Sequence, residues 1–469
     1  MKKRAVTIAL TAAMILGTLT GCGSGNGTDK QAAADTTQTV SAASDETEGE
    51  AKQAAADVDT KGTTITFWHS MGGVNGEAID YLVNKFNEEN EDGITVEAVY
   101  QGSYDDAINK LKSAQIGNMG ADLVQIYDIG TRFMIDSGWI IPMQELIDAN
   151  SYDVSQIEPN IAAYYTVDDK LYSMPFNSST PILYYNKTLF DKAGITEIPT
   201  TFDEIAAVGD QLLEAGAGEV LATSIYGWYF EQYLCKQGLA YADNGNGREA
   251  AATKVVFDEN GGALNILTKW NELYTEGYAP NLGRAANSTD TADFTAGKAA
   301  MVLGSTASLK QILQEAGDSF EVGTAYFPSV VDSEGGVSIG GASLWALNNN
   351  DDEKEAATWK FIEFMISPES QAYWNSQTGY FPITVAAHDE EVFKQNIAEY
   401  PQFQTAIDQL HDSAPEYAGA LLSVFPEARD IVESEIENMI NGNQTSEEAV
   451  AKMAERINTS IEDYNLLNE

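Results

Sequence analysis

Few side chains in this chain are spaced for covalent or metal chemistry. Its cysteines are Cys22 and Cys235, and its histidines are His69, His388 and His411. No Cys-x-x-Cys or His-x-x-x-His spacing occurs, so a structural zinc site is not expected. Beyond the N-terminal region there is no phosphate-cradling Gly-rich loop. Acids are plentiful, 71 against 26 bases. They leave open a glycoside hydrolase, which needs two carboxylates a set distance apart across a cleft, and a calcium site, which so many acids neither exclude nor imply. The remaining chemistry is binding chemistry. Tyr104 and Asp128 each fall just past a strand signal, where open α/β sheets hold their ligands.

Cys22 stands apart from the rest. It ends Leu19-Thr20-Gly21-Cys22, directly after an apolar run from about Ala5 that follows Met1-Lys2-Lys3-Arg4. A cationic start, a short apolar stretch and small residues at the cut describe a secretory signal over 1–21. The run is too short to span a bilayer comfortably. Small residues followed at once by Cys resemble the lipobox of bacterial lipoproteins. That resemblance implies a diacylglycerol-modified Cys22 at the mature N-terminus, anchoring the protein on the outer face of the cell membrane. The plain alternative is a stray cysteine in an ordinary secreted protein. Cys235 is then unpaired, an inert and partly buried thiol. Residues 22–62 are mostly Ala, Thr, Ser, Gln, Asp and Glu, and read as a disordered tether.

The formal charge of -45 repels phosphate backbones and anionic headgroups, which argues against nucleic-acid partners. Aromatic content of 10% fills large cores and suits a site that stacks flat ligands. The pattern predicts a strand at Thr63–Trp68, then a helix carrying Ala78, Ile79, Leu82, Val83 and Phe86 at helical spacing. A strand at Ile94–Tyr100, a helix from Tyr104 to about Ile116 and a strand at Asp122–Tyr127 follow. This β-α-β-α-β alternation implies an open α/β sheet. Further on, amphipathic helices are expected over Phe202–Leu213, Leu264–Leu273 and Ala356–Ile366, with strands over Phe320–Ala325 and Ser343–Leu347. No internal repeat or sustained heptad is present.

Six ordered stretches resemble the family 1 extracellular solute-binding proteins of ATP-driven (ABC) importers, and within it the glycerol 3-phosphate-binding members most. They are Phe67-Trp68-His69-Ser70-Met71, Gln125 to Thr131, Pro175 to Pro181, Leu183 to Lys187, Gly340 to Trp345, and Thr378 to Thr384. The resemblance implies a periplasmic-binding-protein-like α/β fold of two lobes joined by a hinge of crossover strands. It assigns 63–177 and 300–345 to lobe one and 178–299 and 346–469 to lobe two. The chain would cross near Ser178–Tyr185, Lys298 and Trp345. A monomer that captures a soluble ligand and passes it to a membrane permease is implied, with no chemistry and no cofactor.

Carried over residue by residue, the family's ligand site falls on Tyr104, Asp128, Ser179, Trp228, Ser305, Gly341 and Tyr380. Asp128 stands where the glycerol 3-phosphate-binding members have Glu. Ile225 replaces a site Trp, and Leu421 replaces the Arg that pairs with phosphate. A bidentate Arg–phosphate contact is among the strongest polar contacts proteins make, and burying phosphate without a cation costs several kcal/mol. Arg429, eight residues on along an expected helix, is the one nearby replacement, although it aligns with a different Arg. An uncharged sugar or polyol is therefore favoured over glycerol 3-phosphate or a glycerophosphodiester. Plainer readings stand beside these. Asp128 could cap a helix, Trp228 and Tyr380 could be core aromatics, and His69 could be a packed, hydrogen-bonded side chain. Trp359, Phe361 and Phe364 read as core, and His388-Asp389-Glu390-Glu391 as a solvated turn.

Overall fold

The computed structural model describes residues 58–116, 120–285 and 288–468. The signal segment, Cys22 and most of the expected tether lie outside the described residues. The tether's end at residue 62 is an exception. Thr60 is buried, donates to Asp92 Oδ2 at 3.1 Å and accepts from Lys360 Nζ at 2.8 Å. The packed body therefore starts earlier than expected, because partners 32 and 300 positions away leave no local trace in composition.

The main strands are β1 (Thr64–His69), β2 (Thr95–Tyr100), β3 (Leu123–Tyr127), β4 (Met174–Ser179), β5 (Pro181–Asn186), β6 (Glu219–Ala222), β7 (Ala299–Ser305), β8 (Val322–Tyr326) and β9 (Gly340–Ala346). They form two sheets, ordered β2-β1-β3-β9-β4 and β8-β5-β7-β6. In the first, β1 pairs in parallel with β2 and β3, as the β-α-β alternation requires, and β9 runs antiparallel to β3 and β4. Every residue of β3 is buried, the pattern of a strand covered on both faces.

The helices that matter for the site are α1 (Gly73–Glu89), α2 (Tyr104–Ile116), α3 (Gly227–Lys236), α4 (Asp352–Met365), α5 (Pro368–Thr378), α6 (Gln402–Asp412), α7 (Phe425–Ile440) and α8 (Ser446–Asn468). The buried residues of α1 are the five expected from their spacing. In α5, Pro368 sits in the first turn, the Ser367 hydroxyl accepts from Ser370 N–H, and Gly379 ends the helix at φ +112°.

The lobes divide differently from the expected boundaries. Strands β7 and β8, placed with lobe one by the sequence, both hydrogen-bond to β5 of the second sheet. Conversely, α4 and α5 were expected in lobe two, but Trp359, Phe361, Met365 and Trp374 share a core with Ile65, Phe67 and Phe86 of the first lobe. Helix α6 lies on the seam, with Ile407 in that core and Phe403 packed with Ile182, Tyr184 and Val322 of the second sheet. Helices α7 and α8 return to the second lobe, where Ile436, Met453 and Ile457 pack in one cluster with Leu267 and Trp270. The chain thus passes between sheets at Thr180, through 327–339 and after α6, and not near Lys298 or Trp345. Apolar alternation marks a segment as strand, but the partner that assigns it to a sheet lies far along the chain.

Gln409 of α6 braces these crossings. Its Nε2 donates to Thr180 Oγ1 at 3.0 Å and Pro181 O at 2.7 Å, and its Oε1 accepts from Phe327 N–H at 2.6 Å. Across from the crossings the lobes also touch, since Asp136 accepts from Ser423 at 2.6 Å and from Tyr464 at 3.2 Å.

Candidate ligand-binding cleft

A cavity of about 250 Å³ opens between the two lobes, at the small end of ligand pockets. From the first lobe, Tyr104 begins α2 just past β2, Asp128 follows β3, Ser179 ends β4 and Gly341 lies in β9. Tyr380 stands two residues beyond α5. From the second lobe come Trp228 on α3 and Ser305 at the end of β7. All the residues singled out in the sequence for this site, Cys22 apart, therefore line one cavity. The wall also holds Asn75, Tyr127, Tyr226, Gln311 and Arg429. Asn75 and Tyr127 were legible from the strand-end rule, since Tyr127 closes β3 and Asn75 sits in the first turn after β1. Tyr226 and Gln311 carried no sequence signal.

A line of buried amides fixes Tyr104. Ser70 N–H donates to Gln125 Oε1 at 2.8 Å, Gln125 Nε2 donates to Asn177 Oδ1 at 2.7 Å, and Asn177 Nδ2 donates to Tyr104 Oη at 2.9 Å. Because the phenol oxygen accepts, its own proton points to the neighbouring Tyr380 hydroxyl. Tyr104 stacks on Tyr127 with centroids 5.4 Å apart, and Tyr380 stacks on Trp374 at 5.5 Å. Tyr127 donates in turn to Asp105 at 2.8 Å. Trp228 and Tyr226 lie 5.9 Å apart on the opposite wall. Two polar atoms of the wall, Trp228 Nε1 and Asn75 Oδ1, have no hydrogen-bond partner among the described residues. They offer a donor and an acceptor from opposite lobes. Ser305 Oγ accepts from Ala307 N–H at 3.2 Å, which leaves the serine proton to donate as well.

The electrostatics centre on Asp128 and Arg429, the one acid and the one cation among the lining residues. Arg429, on α7, is clasped from behind by Glu231 of α3, with Nε and Nη2 each donating to a carboxylate oxygen at 2.8 Å. Asp128 is 3.6 Å from Arg429 Nη2, beyond a hydrogen bond. The two neighbours of Arg429 respond unequally. Burial pushes the Asp128 carboxyl up to about 7, and the pull of Arg429 does not reverse it. Glu231 has already taken the fork that would otherwise favour the Asp128 anion. For Arg429 itself burial works against the charge, but Glu231 and Asp128 outweigh it and keep the guanidinium protonated. Gly227 lets this pair approach, because a Cβ there would lie 2.2 Å from Arg429 Cγ. Behind the pair is a small cavity of about 20 Å³ lined by Glu231, Asp128, Tyr241 and Cys235. Cys235 is buried, and burial pushes its thiol up to about 12.

Leu421 lies off this wall, buried among the apolar side chains of the first lobe's core. The position at which the resemblance implies a phosphate-pairing Arg therefore brings no charge to the cleft. Among the described residues, no group of three or more His, Cys, Asp or Glu is placed to hold a metal ion.

The model of the bacterial extracellular solute-binding protein family matches residues 81–405. The chain belongs to this family. Among curated proteins, it is 35% identical over 410 residues to the sn-glycerol-3-phosphate-binding periplasmic protein UgpB of Salmonella typhimurium, covering 84% of this chain and 92% of that one. Among solved structures, UgpB from Mycobacterium tuberculosis in complex with glycerophosphocholine superposes with a TM-score of 0.74 at 24% identity, over 86% of this chain and 99% of that one. The GacH receptor of Streptomyces glaucescens, solved unliganded and with acarbose, superposes with a TM-score of 0.72 at 19% identity, with the same coverage. The two-lobe α/β fold of this extracellular solute-binding protein is thus shared with both solved structures.

Proposed function

We propose that this solute-binding protein serves an ABC importer and captures an uncharged carbohydrate or polyol between its lobes. The observation that carries the ligand class is the pairing of the cleft's single lining cation, Arg429, with Glu231. Tyr104, Tyr226, Trp228 and Tyr380 offer aromatic faces for the C–H patches of a sugar ring. Asp128, Ser179, Ser305 and the free donor of Trp228 suit hydroxyl groups. Calorimetry against a panel of mono-, di- and oligosaccharides, glycerol 3-phosphate and glycerophosphodiesters tests the reading. A neutral saccharide is expected to bind tighter than any phosphate ester. Submicromolar affinity for glycerol 3-phosphate overturns it.

A second reading, glycerol 3-phosphate binding, is favoured by the description of the Salmonella relative. Leu421, buried where the resemblance implies a phosphate-pairing Arg, weighs against it. Hydrolysis in the cleft has little support, since Asp128 is the one carboxylate among the lining residues. Release of reducing ends from candidate oligosaccharides would reveal it.

Delivery follows from closure. Ligand bound between the lobes favours the closed form, which a permease distinguishes from the open one. Acylation at Cys22 holds the monomer near that permease on the outer face of the membrane. Cys22→Ala is expected to shift the protein from the membrane fraction to the medium. Retention on the membrane refutes the anchor.

A further inference from the structure

Arg429 reaches the cleft but is turned away from it chemically. Its Nε/Nη2 edge, one of the two bidentate faces of a guanidinium, is filled by Glu231 at 2.8 Å from each nitrogen, and the carboxylate neutralises the cation. Glu231 stands on α3 and Arg429 on α7, both in the second lobe, so this pair stays together when the lobes part. Asp128 belongs to the first lobe, and its 3.6 Å approach to Arg429 exists only with the lobes together. The cation is therefore occupied in the open form that first meets ligand as well as in the closed one. The other arginine near the cleft is no substitute. Arg248 gives its N–H groups to the carbonyls of Gly419, Ala163, Tyr164 and Ala418 and does not line the cavity.

The geometry points to Glu231 as the specificity-determining residue of this cleft. By pairing with Arg429 along one edge it neutralises the cleft's one lining cation, which disfavours phosphate and restricts the ligand to uncharged molecules. This rests on the ligand class proposed above. It adds that the exclusion of phosphate is caused by one side chain outside the cavity wall, and that the cation needed to reverse it is already in place. Glu231 acts through Arg429 and is a positioning residue.

The test uses sn-glycerol 3-phosphate and inorganic phosphate as probes at neutral pH, on the full folded protein. Titration calorimetry compares wild type, Glu231→Gln, Glu231→Ala and Glu231→Gln with Arg429→Met. The small cavity beside Glu231 gives the shortened side chain room for a solvating water, and thermal melting establishes which variants fold. At least a tenfold gain in glycerol 3-phosphate affinity is expected on freeing Arg429. The gain should carry a new dependence on ionic strength and vanish with Arg429→Met. A purely structural role for Glu231 would not produce that gain in anion preference. Folded Glu231 variants that bind phosphate probes no better than wild type overturn the inference, as does a gain that survives Arg429→Met.

Replacing the pair by Glu231→Leu with Arg429→Met gives a variant that does not depend on tolerance of an unpaired buried charge, since apolar substitution of a whole buried pair is often neutral. This variant is expected to show no gain in glycerol 3-phosphate affinity over wild type. A gain as large as that of Glu231→Gln would mean that Arg429 is not its source, and would overturn the proposal. A wild type that binds a neutral saccharide while freed Arg429 gains no anion refutes this inference and leaves the ligand class standing. Submicromolar glycerol 3-phosphate binding by wild type refutes both.

Discussion

Gly340 opens β9 in the first lobe, and the indole of Trp228 from the second lobe lies across it. A Cβ at residue 340 would fall 2.6 Å from Trp228 Cζ2, 2.7 Å from Cε2 and 2.9 Å from Nε1. Carbon atoms sit comfortably at about 3.5–4.0 Å, so in Gly340→Ala the indole must withdraw by about 1 Å. It has little freedom to do so, being buried between Tyr226 and Tyr229 at centroid distances of 5.9 and 6.0 Å. Overpacking of this kind costs ~1–3 kcal/mol. Residue 340 is not among the positive-φ glycines, so alanine strains no backbone there. The strand and the indole belong to different lobes, so the cost falls on their closed arrangement and not on either lobe alone. Ligand affinity should then fall by about 5- to 150-fold, the equivalent of that free energy, while the thermal midpoint of the ligand-free protein hardly moves. Calorimetry with the saccharide that binds wild type, paired with thermal melting, measures both. Unchanged affinity refutes the reasoning. So does a loss of affinity matched by a loss of stability, because the damage would then lie within a lobe.

Asp128→Asn should alter the pH dependence of stability. The carboxyl sits at about 7 when folded against an ordinary 3.8, so the folded protein holds a proton that the unfolded chain releases. Wild-type stability therefore falls as pH rises from about 4 to 7, by at most ~4 kcal/mol for a shift of roughly three units. The melting midpoint of the variant should gain on wild type between about pH 4 and 7, and parallel curves would exclude this role. Asn177→Ala strands Gln125 Nε2 and releases Tyr104, at about 1–3 kcal/mol for the orphaned group. Urea unfolding should show that loss together with weaker ligand binding, and a silent variant would mean the amide chain does not position Tyr104. Gln409→Leu removes the brace on the crossings and leaves Phe327 N–H buried without its acceptor. A loss of about 1–3 kcal/mol in urea unfolding is expected, and no loss would refute the brace.

The first sheet was readable almost strand by strand, because β1 to β3 alternate with helices whose apolar faces repeat at regular spacing. Helix α2 begins and ends where its pattern places it. The lobe boundaries were not readable. Phe320–Ala325 reads as a strand through local chemistry, but its ladder partners, Leu183 to Asn186, lie more than a hundred residues away. The cleft was legible where it borrows strand ends, at Tyr104 and Asp128, whereas Ser179 and Ser305 came from the family resemblance alone. It was illegible where charge is shared between helices. Nothing local to Glu231 or Arg429 in the sequence tells that one clasps the other, since α3 and α7 meet only through the folded second lobe.

Cys235 has a practical consequence. A thiol held at about 12 supplies almost no thiolate at neutral pH, and its burial denies access to maleimides. A soluble form beginning after Cys22 is thus a natural blank for site-specific labelling. A donor dye on a cysteine introduced at Tyr100 and an acceptor at Leu264, both exposed positions on different lobes, would report the hinge motion of single molecules in real time, with no native cysteine to remove first.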